Sequence, residues 1–101
     1  MKTEELAAKV FKALGHPIRY KIVKFLMDEP KCVCKLNENV EFSQANLSQH
    51  LKILKDAGIL KSEKDGLKII YSISCDEIRE LIKDMDKFII SYVKNMKDDI
   101  L

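Results

Sequence analysis

Ser43-Gln-Ala-Asn-Leu-Ser-Gln-His-Leu-Lys-Ile-Leu-Lys-Asp-Ala-Gly-Ile-Leu60 is the stretch whose reading decides the fold. Leu47, Leu51 and Leu54 recur at i, i+4 and i+7, which predicts a helix with one buried face. Ser43, after the β-favouring pair Glu41 and Phe42, has N-cap chemistry, and Gly58 suits the residue just past the helix end. The opposite face carries Gln44, Ala45, Ser48, Gln49 and Lys52. Such small or amide-bearing side chains can approach base edges, where Gln pairs with adenine and Ala meets a thymine methyl. On this helix alone, a Ser/Gln-rich solvated surface is an equal reading, and the segment downstream of Gly58 tips the balance.

From Ile59 to Ser74 the hydrophobic period changes. Leu60 and Ser62, then Leu67, Ile69 and Tyr71, bracket Lys64-Asp65-Gly66, whose Asp-Gly pair suits positive φ, so the segment predicts a β-hairpin. A hairpin directly after a DNA-reading helix is a wing. Lys61, Lys64 and Lys68 lie around its tip, placed to meet phosphates. A solvated Lys-rich turn would explain these charges but not their placement. Upstream, Thr3 with Glu4 and Glu5 predicts the cap of a first helix, and Leu6, Val10, Phe11 and Leu14 line one of its faces up to Gly15. Pro17 opens a second helix with Ile18, Ile22, Phe25 and Leu26 inward, and Pro30 forbids its continuation. Residues 32 to about 40 predict a short third helix. With the helix from Ser43 it makes a helix-turn-helix, the third helix bracing and the fourth entering the major groove. Ser74-Cys75-Asp76-Glu77 has capping-box form and opens a last helix whose apolar positions run from Ile78 through Phe88 and Ile89 to Met96. That stripe is longer than a small core requires. Part of it, with the first helix, is expected to form a homodimer seam, the alternative being simple core.

The expected fold class is therefore mainly α with a small β-hairpin, a winged helix-turn-helix acting as a homodimer, with residues 1–101 forming one DNA-binding domain. At 101 residues the chain is too short for an elaborate enzyme pocket beside a binding module. It has no apolar run of the roughly 18 residues that a membrane span needs, and its first residues are amphipathic and acidic, unlike a signal peptide, so a cytoplasmic protein is expected. The formal charge of +2 is uninformative by itself. Its distribution says more. Lys52, Lys55, Lys61, Lys64 and Lys68 outnumber the acids between 43 and 73, whereas acids prevail from 74 onward. There is no Ser/His/Asp order, carboxylate pair or phosphate-cradling Gly loop, so no catalytic site is expected.

Three cysteines, two of them in Cys32-Val33-Cys34, do not make a disulfide framework and in a reducing compartment point to metal or redox chemistry. The run Glu29-Pro-Lys-Cys-Val-Cys-Lys-Leu36, continued to Ser43-Gln-Ala-Asn-Leu-Ser-Gln-His-Leu51, resembles the ArsR/SmtB family of metalloregulatory repressors. The likeness extends over Ala13-Leu-Gly-His-Pro-Ile-Arg19, the Gly58 exit and the wing ending Tyr71-Ser-Ile73, and covers Phe11 to about Ile78. It implies a dimeric winged helix that binds a double-stranded DNA operator when ligand-free and releases it when a metal or metalloid binds. The candidate DNA contacts are Ser43, Gln44, Ala45, Asn46, Ser48, Gln49, His50, Lys52, Lys64 and Lys68.

The chain departs from the family's known metal sites. Arsenite-type members have a third cysteine where Asn37 stands here; cadmium/lead-type members add N-terminal cysteines, and residues 1–31 contain none; the zinc-type site of the final helix aligns with Cys75, Glu77, Phe88 and Ser91. The metal ligands left are Cys32 and Cys34. Two thiolates suit soft, low-coordinate ions such as Cu(I) or Hg(II), and As(III) if Cys75 or an external thiol completes the set; structural zinc wants four ligands. A helix start and the flanking Lys31 and Lys35 favour thiolate. The plain alternative for each cysteine is a small buried apolar residue, the favoured one for Cys75. His16 is expected to cap or turn, and His50 stays open between a phosphate contact and a packing residue. The expected function is an operator-binding repressor released by a thiophilic metal or metalloid at Cys32 and Cys34. A redox or persulfide switch on the same fold is the near rival. A dithiol oxidoreductase or a protein-binding winged helix stands further off.

Overall fold

The computed structural model describes residues 2–100. Its elements run α1 (Thr3–Leu14), α2 (Pro17–Phe25), β1 (Lys31–Cys32), α3 (Val33–Asn37), α4 (Val40–Ser43), α5 (Leu47–Asp56), β2 (Leu60–Asp65), β3 (Lys68–Ile73) and α6 (Asp76–Ile100). The strands form one antiparallel sheet in the order β1-β3-β2. Leu47, Leu51 and Leu54 are buried as the periodicity predicts, and they pack in one cluster with Ile22, Val23, Leu26, Leu36, Phe42, Ile59, Ile73 and Ile82. Burying each such side chain contributes about 1.5–3 kcal/mol, so the cluster fixes how α5 sits on the other helices.

The boundaries follow local chemistry. Thr3 is the first helical residue and not the cap, which is Lys2; Glu4 and Glu5 do lie in the first turn and Lys12 in the last, as the macrodipole favours. Gly15 is the C-cap of α1, its N–H donating to the Lys12 carbonyl at 3.2 Å, and a Cβ there would crowd the Phe11 carbonyl at 3.3 Å. His16 caps α2, its Nδ1 accepting from the Ile18 N–H at 3.1 Å, and Pro17 takes the first helical position.

Three expectations are corrected between residues 31 and 67. The helix predicted over 32–40 is only Val33–Asn37, because Asn39 interrupts it: its side-chain oxygen accepts from the N–H groups of Glu41 and Phe42 and so starts α4. Ser43 is consequently the last residue of α4, its hydroxyl donating to the Val40 carbonyl at 3.0 Å, and Asn46 stands at the N-cap of the DNA-reading helix. Burial of Phe42 edge-on to Phe25, with centroids 5.6 Å apart, holds this extra turn in place. The hairpin loop is Gly66-Leu67, one residue later than expected, since Asp65 pairs with Lys68. Gly66 has φ of 63°, the first-position glycine that a two-residue loop of the II′ kind needs. Leu67 therefore sits at the exposed tip and not on an inward row.

At the far end of α5 the N–H of Gly58 donates to Lys55 and that of Ile59 to Leu54, each at 3.0 Å, with Gly58 at φ 80°. This is the paired bonding of a Schellman motif, and the apolar contact it favours joins Leu54 and Ile59, both fully buried. Ser74, expected to cap α6, instead donates its hydroxyl to the Gly58 carbonyl at 2.7 Å, fastening the end of β3 to the exit of α5.

The long helix divides into two halves. Its first half covers the core through Ile82, with Ile78, Leu81 and Met85 half-buried. Tyr20 donates to Asp86 at 2.8 Å, Lys24 pairs with the same carboxylate at 2.9 Å, and Arg79 Nε donates to the Met27 carbonyl. Beyond Asp86 the apolar stripe is uncovered, with Phe88 60% exposed and Ile89, Tyr92, Val93 and Met96 each exposed, as is Phe11 on α1. The Lys24 ammonium holds the Asp86 carboxyl below its ordinary value, against the opposing effect of burial, with the Tyr20 hydroxyl adding to the lowering. Burial and the Asp86 carboxylate push the Tyr20 hydroxyl up to about 12. A lowered carboxyl contributes stability above its unfolded pKa that is lost as pH falls through the folded one. Asp86→Asn should therefore destabilise the protein at neutral pH and lose less on acidification than wild type below about pH 4. Urea unfolding at pH 7 and pH 3 measures both, and parallel losses in the two proteins would exclude the linkage.

Candidate nucleic-acid interface and dithiol site

The exposed face of α5 carries Ser48, Gln49 and Lys52, and the junction before it exposes Ser43, Gln44 and Asn46, with Ala45 half-buried. The N-terminal residues of such a helix are the ones that reach base edges. Here they are partly ordered already, since the Asn46 amide donates to Gln49 Oε1 at 2.8 Å. Lys52 pairs with Asp56 at 3.0 Å, but both side chains are more than half exposed, so the pair costs little to exchange for a phosphate. Lys64 and Lys68 stand exposed on opposite strands of the wing, near its Gly66-Leu67 tip, with Lys61 further along β2.

His50 has a different environment. Its ring lies 4.6 Å from that of His16, and its Nδ1 is buried without a hydrogen-bond partner. Burial first, then His16 and Arg19, hold it below the usual histidine value. His50 thus packs against His16 at the start of α2.

Cys32 ends β1 and Cys34 is the second residue of α3. On a regular helix residues i and i+2 point about 200° apart. Cys32 escapes that constraint because it is the extended N-cap, with φ −73° and ψ 158°, held by pairing with Ile70 of β3. The two Cα atoms are 5.1 Å apart and the sulfurs converge to a disulfide. Cys32 Sγ also accepts from the Lys35 N–H at 3.1 Å, in the first turn of α3. Lys31 does not lie beside the sulfurs as a counter-charge. Its ammonium is committed to the Phe25 carbonyl at 2.7 Å and to Asp28 at 2.6 Å, above the Phe25 ring. Lys35 pairs with Glu38.

The pair borders a cavity of about 300 Å³ whose other walls are Ser48 and Leu51 of α5 and Leu67, Lys68, Ile69 and Tyr71 of the wing. Cys75 lines another cavity, with Ile70 and Ser72. The structure brings the sulfurs of Cys32 and Cys34 together, whereas Cys75 is a free, exposed cysteine. Among the described residues no cluster of three or more His, Cys, Asp and Glu side chains is arranged to hold a metal ion. The donor set thus fits an ion satisfied by two thiolates from one chain. No described helix is long and apolar enough to cross a membrane. The cavity walls on the wing and the strand β1 were not foreseen: two residues are too few to show alternation, and Ile69 and Tyr71 read equally well as ordinary core positions.

Residues 16–62 match the model of the bacterial regulatory protein arsR family. An uncharacterized HTH-type transcriptional regulator of Methanocaldococcus jannaschii is 42% identical over 88 residues, which span 86% of this chain and 99% of that protein. A Staphylococcus aureus homologue of a cadmium resistance transcriptional regulatory protein is 40% identical over 77 residues, 75% of this chain and 64% of its own. The crystal structure of Rv0081 from M. tuberculosis superposes with a TM-score of 0.83 at 34% identity, covering 92% of this chain and 95% of that one. The helix-turn-helix, the wing and these relatives agree: the chain belongs to the ArsR/SmtB family of winged-helix transcriptional regulators.

Proposed function

We propose that the protein is a homodimeric repressor that holds a DNA operator and releases it when a thiophilic metal or metalloid binds Cys32 and Cys34. The observation that carries this reading is the cavity in which the two sulfurs share walls with the DNA-reading helix and the wing. A ligand there touches both elements that would hold DNA. The relative named for cadmium resistance supports a soft-metal inducer. With Cys32 outside the helix, binding needs no unwinding of α3, and the coupling is carried by what fills the space between α5 and the wing. Two-thiolate coordination favours Cu(I), Hg(II) or an As(III) species over zinc. The exposed stripe of α6 beyond Asp86, with Phe11 of α1, supports an isologous seam between two copies.

A redox reading has its own support. The structure joins Cys32 and Cys34 in a disulfide with a Cα separation of 5.1 Å, within the roughly 4.4–6.8 Å that disulfides span. An oxidant would then act where the metal does, and the same cavity would transmit the change.

Three outcomes are expected. Ser48→Ala or Gln49→Ala should weaken operator binding by about 1–3 kcal/mol, whereas Lys64→Ala should weaken all sequences alike and flatten the salt dependence. Fluorescence anisotropy with operator and random duplex across a salt series separates these, and equal affinity for both duplexes at every salt would exclude a specific repressor. Sedimentation should find a dimer at micromolar concentration, and Phe88→Asp with Ile89→Asp should dissociate or unfold it; a stable wild-type monomer would contradict the seam. Finally, Cys32→Ser and Cys34→Ser should each bind operator yet resist release by thiophilic ions, while Cys75→Ser responds like wild type. Wild-type release in both of the first two variants would remove the sensor from this site.

A further inference from the structure

We propose that Leu67 is an apolar wedge that enters the DNA minor groove next to the site of α5, opens one base step and bends the duplex there. This rests on the operator-binding reading and adds a residue that selects sequence outside the reach of α5. Leu67 occupies the second position of the Gly66-Leu67 loop and is fully exposed. A polar residue serves that position of a tight turn equally well, so the turn itself does not call for leucine. Nor does the core, from which the tip stands clear. Leucine is one of the side chains that insert between base steps when a protein binds the minor groove.

The register of the hairpin shows which way the tip faces. Residues paired across the ladder share a face. Leu60 with Ile73, Ser62 with Tyr71 and Lys64 with Ile69 make one face; Lys61 with Ser72, Glu63 with Ile70 and Asp65 with Lys68 make the other. The first face is apolar and opens toward the tip, with Ile73 buried, Tyr71 half-buried and Ile69 43% exposed. Its only charge is Lys64, because both acids of the hairpin, Glu63 and Asp65, lie on the second face. The first face is also the one turned to α5, since Ile69 and Tyr71 border the same cavity as Ser48, together with Leu67. The apolar tip therefore projects on the side from which α5 reads DNA, with a cation beside it and the acids turned away. A helix seated in the major groove leaves the adjacent minor groove to the element at its flank. There Lys64 and Lys68 meet phosphates while the leucine meets the bases. Wedging is least costly at a pyrimidine–purine step, which unstacks easily, and most costly in a stiff A-tract. Leu67 thus gives the protein a preference at a step that α5 never touches.

The test uses the full chain at saturating concentration on a duplex carrying the operator selected by the protein, with 2-aminopurine scanned through the flanks of each half-site and a dye pair on the duplex ends. Wild-type protein should raise 2-aminopurine fluorescence at one flanking step and shorten the end-to-end distance. Replacing that step by an A-tract should weaken wild-type binding by about fivefold or more. Leu67→Ser changes only an exposed turn position, so the fold is kept. It should lose the fluorescence rise, the bend and the step preference while its salt dependence stays that of wild type, and Leu67→Met should restore all three. Lys64→Ala should do the converse, flattening the salt dependence and keeping the fluorescence rise. Flanking bases that all stay stacked under the wild-type protein, or a Leu67→Ser protein that unstacks and bends the duplex as wild type does, overturn the wedge and leave the operator-binding reading standing. Equal affinity for operator and random duplex at every salt removes both.

Discussion

The pairing of Lys31 with Tyr71 and of Cys32 with Ile70 is short, yet the arrangement of the site depends on it. It fixes Cys32 in extended backbone so that α3 begins one residue later, and it ties the start of α3 to the central strand of the sheet. Two ladder positions would be marginal alone, since each net hydrogen bond contributes only about 0.5–1.5 kcal/mol. Lys31 reinforces them. Its side chain is 9% exposed, its stem covers Phe25, and its ammonium takes the Phe25 carbonyl left free where α2 ends, together with Asp28. The end of α2, the cysteine pair and the wing are thereby one connected unit.

A second join closes that unit from the other side. The Schellman turn at Gly58 sends the chain from α5 into β2, and Ser74 returns from β3 to bond the Gly58 carbonyl. The wing is thus anchored at its base to the end of α5 and along β3 to β1, while its tip at Gly66-Leu67 stays free. The cavity beside the sulfurs is the space left between two elements that are fixed at one end and open at the other.

Much of this was legible in the sequence because burial has a period. Leu47, Leu51 and Leu54 announced α5, and the shift to alternation after Gly58 announced the wing. The apolar positions continuing to Met96 announced a helix longer than one core needs. What escaped was decided by single hydrogen bonds that compete with that period. Asn39 and Ser43 both look like caps. Which one starts a helix depends on Phe42 finding its place against Phe25, a tertiary contact with no local sign. Ser74 likewise has cap chemistry, but the Gly58 carbonyl reaches it first. The cysteine pair was recognisable as chemistry, whereas its convergence required β1, which is too short to leave a pattern. His50 shows the limit most plainly, since a histidine next to a buried leucine reads equally as contact or packing until its neighbour His16 is located.

A ligand at the dithiol can lower operator affinity only by the difference between its free energies of binding to the DNA-bound and the free protein. A ligand in the cavity beside Cys32 and Cys34 meets Ser48 and Leu51 of α5 and Lys68, Ile69 and Tyr71 of the wing, so such a difference would arise where it touches those two elements. Couplings of about 1–3 kcal/mol, or 5- to 150-fold in affinity, are typical of allosteric pairs. By linkage the operator must weaken the ligand by the same factor. The sequence neighbourhood of the cysteines therefore sets which atoms are bound, and the distance from those atoms to α5 and the wing sets whether binding is felt by the DNA.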